Sequence, residues 1–234
     1  MKVPYVGSDS RSSRLAFDKI LSKRVFLKKR IPTPKFAIVP PGRWKASSSR
    51  FPTPFFIKPP REGSSIGIYE VRKWKESADK IKATAHSYGT FLIEEKIQGR
   101  EFTVGILGNR ALPVIELKPK HGFYDYHSKY TKGMTEYLVP APIPQKQARR
   151  LQKLALAVHH ALGLRDFSRV DIMVDEKKRP YVLEANSIPG FTELSLLPKA
   201  ARAAGISFEE LCSELVRLAA ERLSFRRAKR GEIS

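Results

Sequence analysis

Asp171, Glu184 and Asn186 are the residues whose types and spacing most clearly suit chemistry. Arg169 to Val174 alternate in the manner of a β-strand, Asp175 to Pro180 supply a polar turn, and Tyr181 to Ala185 read as the return strand. A turn centred between Lys177 and Lys178 sets Asp171 opposite Glu184, with Asn186 on the same face by the period of two. Like charges directly across an antiparallel pair are destabilising, so a strand would not choose this pairing for stability. Two carboxylates and an amide oxygen suit a hard divalent cation such as Mg²⁺, which takes oxygen ligands and leaves positions open for nucleotide phosphates. The same residues also fit a solvated hairpin whose acids pair with Arg169 or Arg179.

Other elements could serve the same chemistry. Lys58 ends the apolar strand Pro54 to Lys58, where its ammonium can reach phosphate oxygens. The small-residue turn Arg61 to Gly67, containing Ser64, has backbone amides able to fold over an anion, although Gly-Ser turns of this kind are common. Phe91 to Glu95 is an apolar strand ending in two acids, Glu94 and Glu95; it can offer backbone edges to a base, with Glu101 near a ribose, or be an ordinary strand end. Around these, a helix is expected from Ser12 or Ser13 to about Lys29, with Phe17, Leu21 and Val25 on one side. Further helices are expected over Trp74 to His86, Gln147 to Leu162, Ser195 to Gly205, and Ser207 to about Leu223. Short strands are expected at Lys35 to Val39 and Ile66 to Val71, and a hairpin across the Leu107 to Arg110 turn. Lys118 to Pro144 has no clear period and reads as a long aromatic loop, of a length that is usually functional. His159 and His160 point about 100° apart and read as surface or edge residues.

Composition narrows the class. The chain has 234 residues, enough for one large or two small domains, and its hydrophobic share of 41% is that of a globular protein. No window approaches the ~18 apolar residues of a membrane span, and Met1 to Ser10 lacks a secretory apolar run. The single cysteine, Cys212, excludes an internal disulfide and reads as a small core residue, consistent with a cytoplasmic protein. Lys and Arg number 44 against 23 Asp and Glu, a formal charge of +21 concentrated in Lys23 to Arg30 and Arg222 to Arg230. Those runs lack the interleaved aromatics of a nucleic-acid module, so they read as solvated helix faces.

Taken together, several segments resemble the ATP-grasp portion of the D-alanine–D-alanine ligase family: PYVGSDS with LAFDKILSK, FFIKPPREGSSIGI, FLIEEKIQGREFTVGILG, GFYDYHSKYT, SRVDIMV, YVLEANSIPGFTELSLLP and AARAAGISFEEL, in family order from about Pro4 to Ala220. The resemblance implies an α+β fold in which two α/β lobes hold ATP between them. It divides the chain into a linker remnant (1–13), an N-terminal lobe (14–97), a C-terminal lobe with the catalytic centre (98–224) and a basic tail (225–234). By position, it makes Lys19 and Lys58 the lysines that grip phosphates, sets Glu94, Glu95 and Ile97 along the adenine, and gives Glu101 the ribose. Lys129 would contact the transferred phosphate, Tyr130 and Ser64 would close the site, and Asp171, Glu184 and Asn186 would hold two Mg²⁺ (or Mn²⁺) ions. Arg169 would polarise the acyl carbonyl, the Gly190 amide would support the oxyanion, and Ser195 with Leu196 would hold the second substrate's carboxylate.

The implied activity is ATP-dependent joining of two D-alanines, or similar small amino acids, through an acyl phosphate, for peptidoglycan precursors. Tyr130 resembles the dipeptide-forming rather than the depsipeptide-forming members. Arg11 to Arg14 departs from the small apolar residues the family has there, and Lys2 to Ser8 resembles the segment just before the ATP-grasp region. A late start codon is the expected reason; a separate N-terminal domain and a truncated paralogue are the others. Such a paralogue would bind Mg-ATP without ligating and could dock on nucleic acid or anionic surfaces through its basic ends. The family is usually dimeric, largely through the domain not seen here.

Overall fold

A computed structural model describes residues 5–43, 51–74, 78–119 and 134–228, with side chains described as far as residue 222. Two antiparallel sheets organise the chain. The smaller has the order β1-β4-β2-β3, from Phe36–Val39 (β1), Phe55–Lys58 (β2), Tyr69–Val71 (β3) and Phe91–Glu95 (β4). Val39, Phe55, Ile57, Phe91 and Ile93 are buried beneath helix α3 (Ala78–Tyr88), whose Ile81 joins them. The larger sheet has the order β10-β9-β5-β7-β8, with β6 (Arg110–Ala111) pairing β5. Its strands are β5 (Gly99–Leu107), β7 (Ile115–Pro119), β8 (Thr135–Leu138), β9 (Phe167–Asp175) and β10 (Pro180–Asn186).

One face of the large sheet is covered by α4 (Gln145–Ala161), whose Leu151, Ala155 and Val158 meet Phe102, Val104, Val170 and Ile172. This is the i, i+4, i+7 stripe expected of that helix. Helices α1 (Ser10–Phe17) and α2 (Lys19–Lys28), although they precede the small sheet, pack Ala16 and Phe26 into this same core. Helices α5 (Leu196–Ala203) and α6 (Phe208–Ala228) build a second cluster around Leu197, Ala200, Leu211 and Leu215. Ser207 starts α6 with a reciprocal cap: its hydroxyl accepts from the Glu210 amide at 3.1 Å, and its own amide donates to Glu210 Oε2 at 2.7 Å. The helix runs past the expected Leu223, to Ala228. Cys212 on it, expected in the core, is only half-buried.

Three expectations need correction. The expected helix from Ser12 to Lys29 is two helices, because Asp18 leaves helical geometry and its carboxylate accepts from the Ile20 and Leu21 amides to cap α2. Phe17, expected on the packed side, is 53% exposed at that break. The segment expected to be a loop from Lys118 to Pro144 contributes β8, which pairs with β7 at the sheet edge (Leu117↔Tyr137); residues 120–133 lie outside the described ones. His159 is 2% exposed rather than at the surface: it follows Ala155 by one helical turn, and its Nδ1 lies 2.7 Å from Ser168 Oγ on β9.

Burial, with a smaller push from His160, lowers the His159 pKa to about 4 from an ordinary value of 6.5. The unfolded chain therefore binds the proton first as pH falls. The stability that the neutral imidazole contributes is full above pH 6.5 and is lost on going down through about 4. His159→Leu should abolish a loss of up to about 3 kcal/mol across that window. Parallel pH slopes of unfolding free energy in the variant and the wild type would contradict this.

The sheets meet where β4 passes into β5. Gly99 pairs with Asp175, and a Cβ on it would fall 2.0 Å from the Val174 carbonyl oxygen, so only glycine lets β5 approach β9 there. A second tie runs from Pro32, whose carbonyl accepts from the Val182 amide at 2.8 Å.

Candidate functional site

Asp171 faces Glu184 across β9 and β10, as expected, but the route is different. Val174 pairs Pro180 and Ile172 pairs Val182, so the turn is centred on Lys177; a bulge at Leu183 then brings Glu184 opposite Asp171. The extra residue re-aims the strand and keeps Val182 in the core while Glu184 and Asn186 share the face of Asp171 and Arg169. Asp171 is buried and held from several sides. Its Oδ1 accepts from Thr103 Oγ1 at 2.6 Å, and the two carboxylate oxygens take the Arg169 guanidinium as a fork at 3.0 Å each. Asn186 Nδ2 donates to Asp171 Oδ2 at 3.1 Å. The expected pairing of these acids with arginine is therefore present for Asp171, yet at 7% exposure this is no solvated hairpin. Asp175 takes Arg179 instead, at 2.7 Å.

A cavity of about 610 Å³ opens between the two sheets. Lys58, Glu94, Glu95 and Ile97 line it from the small sheet and its exit, and Glu101, Asp171 and Glu184 from the large one. Its walls mix apolar surface from Phe56, Ile68, Leu117 and Met173 with these charged groups and with Lys96, Arg100, Glu116 and Lys118, the make-up of a pocket for a flat ligand that also carries polar groups. Lys58 Nζ donates to Glu94 Oε1 at 2.5 Å. Burial alone would raise the Glu94 pKa, but the ammoniums of Lys23 and Lys58 more than offset it and hold the carboxyl below its ordinary value.

A second cavity, of about 530 Å³, shares Glu184 and is lined also by Lys19, Ser64, Asn186 and Ile188. Lys19 Nζ donates to the Glu62 carbonyl at 2.6 Å and lies 3.6 Å from Glu184 Oε2. Ser64 and Ser65 both have positive φ, 52° and 62°, in the turn after β2; Ser64 faces the second cavity and Ser65 the first. The structure thus gathers Lys58, Glu94, Glu95, Ile97, Glu101, Asp171 and Glu184 on one cavity, with Lys19, Ser64, Glu184 and Asn186 on the next.

Gly190, Ser195 and Leu196 lie beyond β10 and line neither cavity. The Ser195 hydroxyl is engaged by Thr192, 3.1 Å from its amide and 2.9 Å from its Oγ1, and a Cβ on Gly190 would stand 3.1 Å from that hydroxyl. Lys129 and Tyr130 fall outside the described residues.

Two groups, one in the cleft and one behind it, escaped sequence reasoning. Glu116 is 2% exposed and takes the Arg100 guanidinium as a fork, 2.6 Å on each oxygen, forming one wall. Lys23, counted within a solvated basic run, is 1% exposed and ion-paired with Glu94. Its spacing of four from Lys19 was the available signal.

Among the described residues no cluster of three or more His, Cys, Asp or Glu is placed to hold a metal. Two carboxylates and one carboxamide, with Asp171 on the first cavity, Asn186 on the second and Glu184 on both, suit the chemistry of Mg²⁺ completed by phosphate oxygens, and would not suit a softer metal wanting nitrogen or sulfur.

The sequence model described as the D-ala D-ala ligase C-terminus matches residues 25–217. The D-alanine–D-alanine ligase of Methylacidiphilum infernorum is 47% identical over 216 residues, covering 92% of this chain and 70% of the relative. That of Syntrophotalea carbinolica is 44% identical over 214 residues, with the same coverages of 92% and 70%. Among solved structures, the VanG D-Ala:D-Ser ligase from Enterococcus faecalis superposes with a TM-score of 0.83 at 32% identity, covering 93% of this chain and 65% of that one. The Bacillus anthracis D-alanine–D-alanine ligase complexed with ATP gives a TM-score of 0.78 at 28% identity, covering 94% and 70%. These neighbours share the ATP-grasp arrangement of two lobes built on antiparallel sheets with flanking helices. With a family match over most of its length and relatives above 40% identity, the chain belongs to the D-alanine–D-alanine ligase family.

Proposed function

We propose that this chain is the ATP-grasp portion of an ADP-forming carbon–nitrogen ligase that joins two D-alanines, or similar small amino acids, for peptidoglycan precursors. The observation that carries the reading is the pair of adjoining cavities that share Glu184: one suits a nucleotide between two sheets, and the other suits a small zwitterion beside its phosphates.

Two amino acids do not condense in water unless one carboxylate is activated. Phosphoryl transfer from ATP to the first D-alanine does this, and the amine of the second then attacks the acyl phosphate and expels phosphate. Lys58 and Lys19, at the two cavities, neutralise charge on the phosphates. Asp171, Glu184 and Asn186 would hold two Mg²⁺ (or Mn²⁺), which supply further charge neutralisation at the transferring phosphoryl group. Glu94 to Ile97 edge the adenine and Glu101 the ribose. Arg169 polarises the acyl carbonyl, the Gly190 amide supports the oxyanion, and Ser195 with Leu196 takes the second carboxylate. Ser64 stands on the turn that closes over the phosphates, and the resemblance gives Lys129 the transferred phosphate and Tyr130 a share in closing the site. An acyl phosphate hydrolyses readily, so water has to be shut out. The second cavity is edged by exposed Phe17 and Ile188, and a preceding domain or a second subunit would cover it.

The test is release of ADP and phosphate by the chain with Mg-ATP, with and without D-alanine. Release that requires D-alanine supports the reading. Tight nucleotide binding without such release, in the chain and in a version that includes the region preceding it in the relatives, rules it out.

A further inference from the structure

Lys23 has no place in the chemistry just described, yet it is among the most deeply buried side chains of the protein and sits directly behind the nucleotide cavity. Its ammonium is ion-paired with Glu94 Oε2 and donates to Thr33 Oγ1 at 2.6 Å; Thr33 in turn donates to the Val182 carbonyl at 2.8 Å. Val182 immediately precedes the bulge that aims Glu184. Glu94 receives Lys23 on one oxygen and Lys58 on the other. The contact at Oε2 is an ion pair by distance, and no aligned hydrogen bond reaches that oxygen.

We infer that Lys23 is a positioning residue for ATP: by neutralising Glu94 from behind, it leaves the ammonium of Lys58 available to phosphate, and through Thr33 it ties that carboxylate to the strand carrying Glu184. The inference rests on the nucleotide reading above. The charge argument is simple. Lys23, Glu94 and Lys58 carry two positive charges and one negative in a desolvated cluster, so the group as a whole attracts an anion. Without Lys23, Glu94 and Lys58 form a neutral pair, and the lysine at the cavity wall is spent on its own carboxylate. Burial lowers the pKa of Lys23, and Glu94 opposes this, so the ammonium depends on the carboxylate as much as the carboxylate depends on it.

The test compares binding of adenosine, ADP and ATP to the wild-type chain, Lys23→Met and Lys23→Arg by calorimetry, with circular dichroism to establish folding. Lys23→Met should lose about tenfold or more in ATP affinity, less for ADP and nothing for adenosine, since only phosphates sense the missing charge. Lys23→Arg should recover most of the loss. So should Lys23→Met with Glu94→Gln, because Lys58 then has no carboxylate to neutralise it. Should Lys23→Met not fold, Lys23→Gln keeps hydrogen bonding to Thr33 without the charge and is read the same way. An equal loss for adenosine would mark a merely structural residue and overturn the inference. Unchanged ATP affinity in the folded variant overturns it while leaving the nucleotide reading intact; a wild-type chain that binds no ATP overturns both.

Discussion

Asp171→Asn is expected to leave the chain folded and to weaken magnesium-dependent ATP binding by about 100-fold or more. The substitution is nearly isosteric, and the carboxamide oxygen can still accept from Thr103, which now donates at 2.6 Å. What it removes is one of the two carboxylates facing each other across the hairpin, and with it the fork that fixes Arg169. A hard cation loses an anionic ligand that an amide does not replace. Calorimetry with ATP in the presence of magnesium, and again with chelator, separates the effects: affinity without metal should change little, and the gain conferred by magnesium should largely vanish. An equal gain in variant and wild type would remove Asp171 from the metal site. Glu184→Gln should behave in the same direction, with an added change at Lys19, whose ammonium lies 3.6 Å from that carboxylate.

The pairing that makes this prediction possible was legible in the sequence, but not for the full physical reason. Counting outward from a turn between Lys177 and Lys178 brings Asp171 to Glu184; the backbone reaches the same pairing from a turn on Lys177 plus one bulged residue, Leu183. A bulge is a backbone event, and Val182-Leu183-Glu184 reads as ordinary strand, so pattern alone cannot place it. The break between α1 and α2 was hidden in the same way. Hydrophobic periodicity continues through Asp18, and only the cap that its carboxylate makes to Ile20 and Leu21 divides the helix. Lys23 and His159 were misread because residue type is a statement about average exposure. Each lies one turn along a helix face from a residue turned inward, Lys19 and Ala155, and that geometry outweighs the average. The small-sheet strands and the stripe on α4 were legible because a single term, burial of apolar side chains, decides them.

Arg169→Lys should cost more in turnover than in nucleotide affinity. Arg169 stands across from Asn186 on the face that carries Asp171, and its guanidinium is held in one plane by the two oxygens of that carboxylate. A planar fork fixed in this way holds the guanidinium N–H groups in one orientation. A lysine ammonium is a rotating point charge on a flexible stem, so it keeps the formal charge but loses the aim. If those N–H groups meet the acyl oxygen as it gains charge, the interaction grows between ground state and transition state, and its loss falls on kcat. The expected drop in D-alanine-dependent phosphate release is about 100- to 1000-fold, the usual consequence of removing one donor to a developing oxyanion. ATP affinity, measured on the same preparation, should stay within a few fold, because Lys19 and Lys58 at the two cavities are untouched. A loss of ATP affinity equal to the loss of turnover would instead make Arg169 a support for Asp171, acting on the metal side of the cleft and not on the reacting carbonyl.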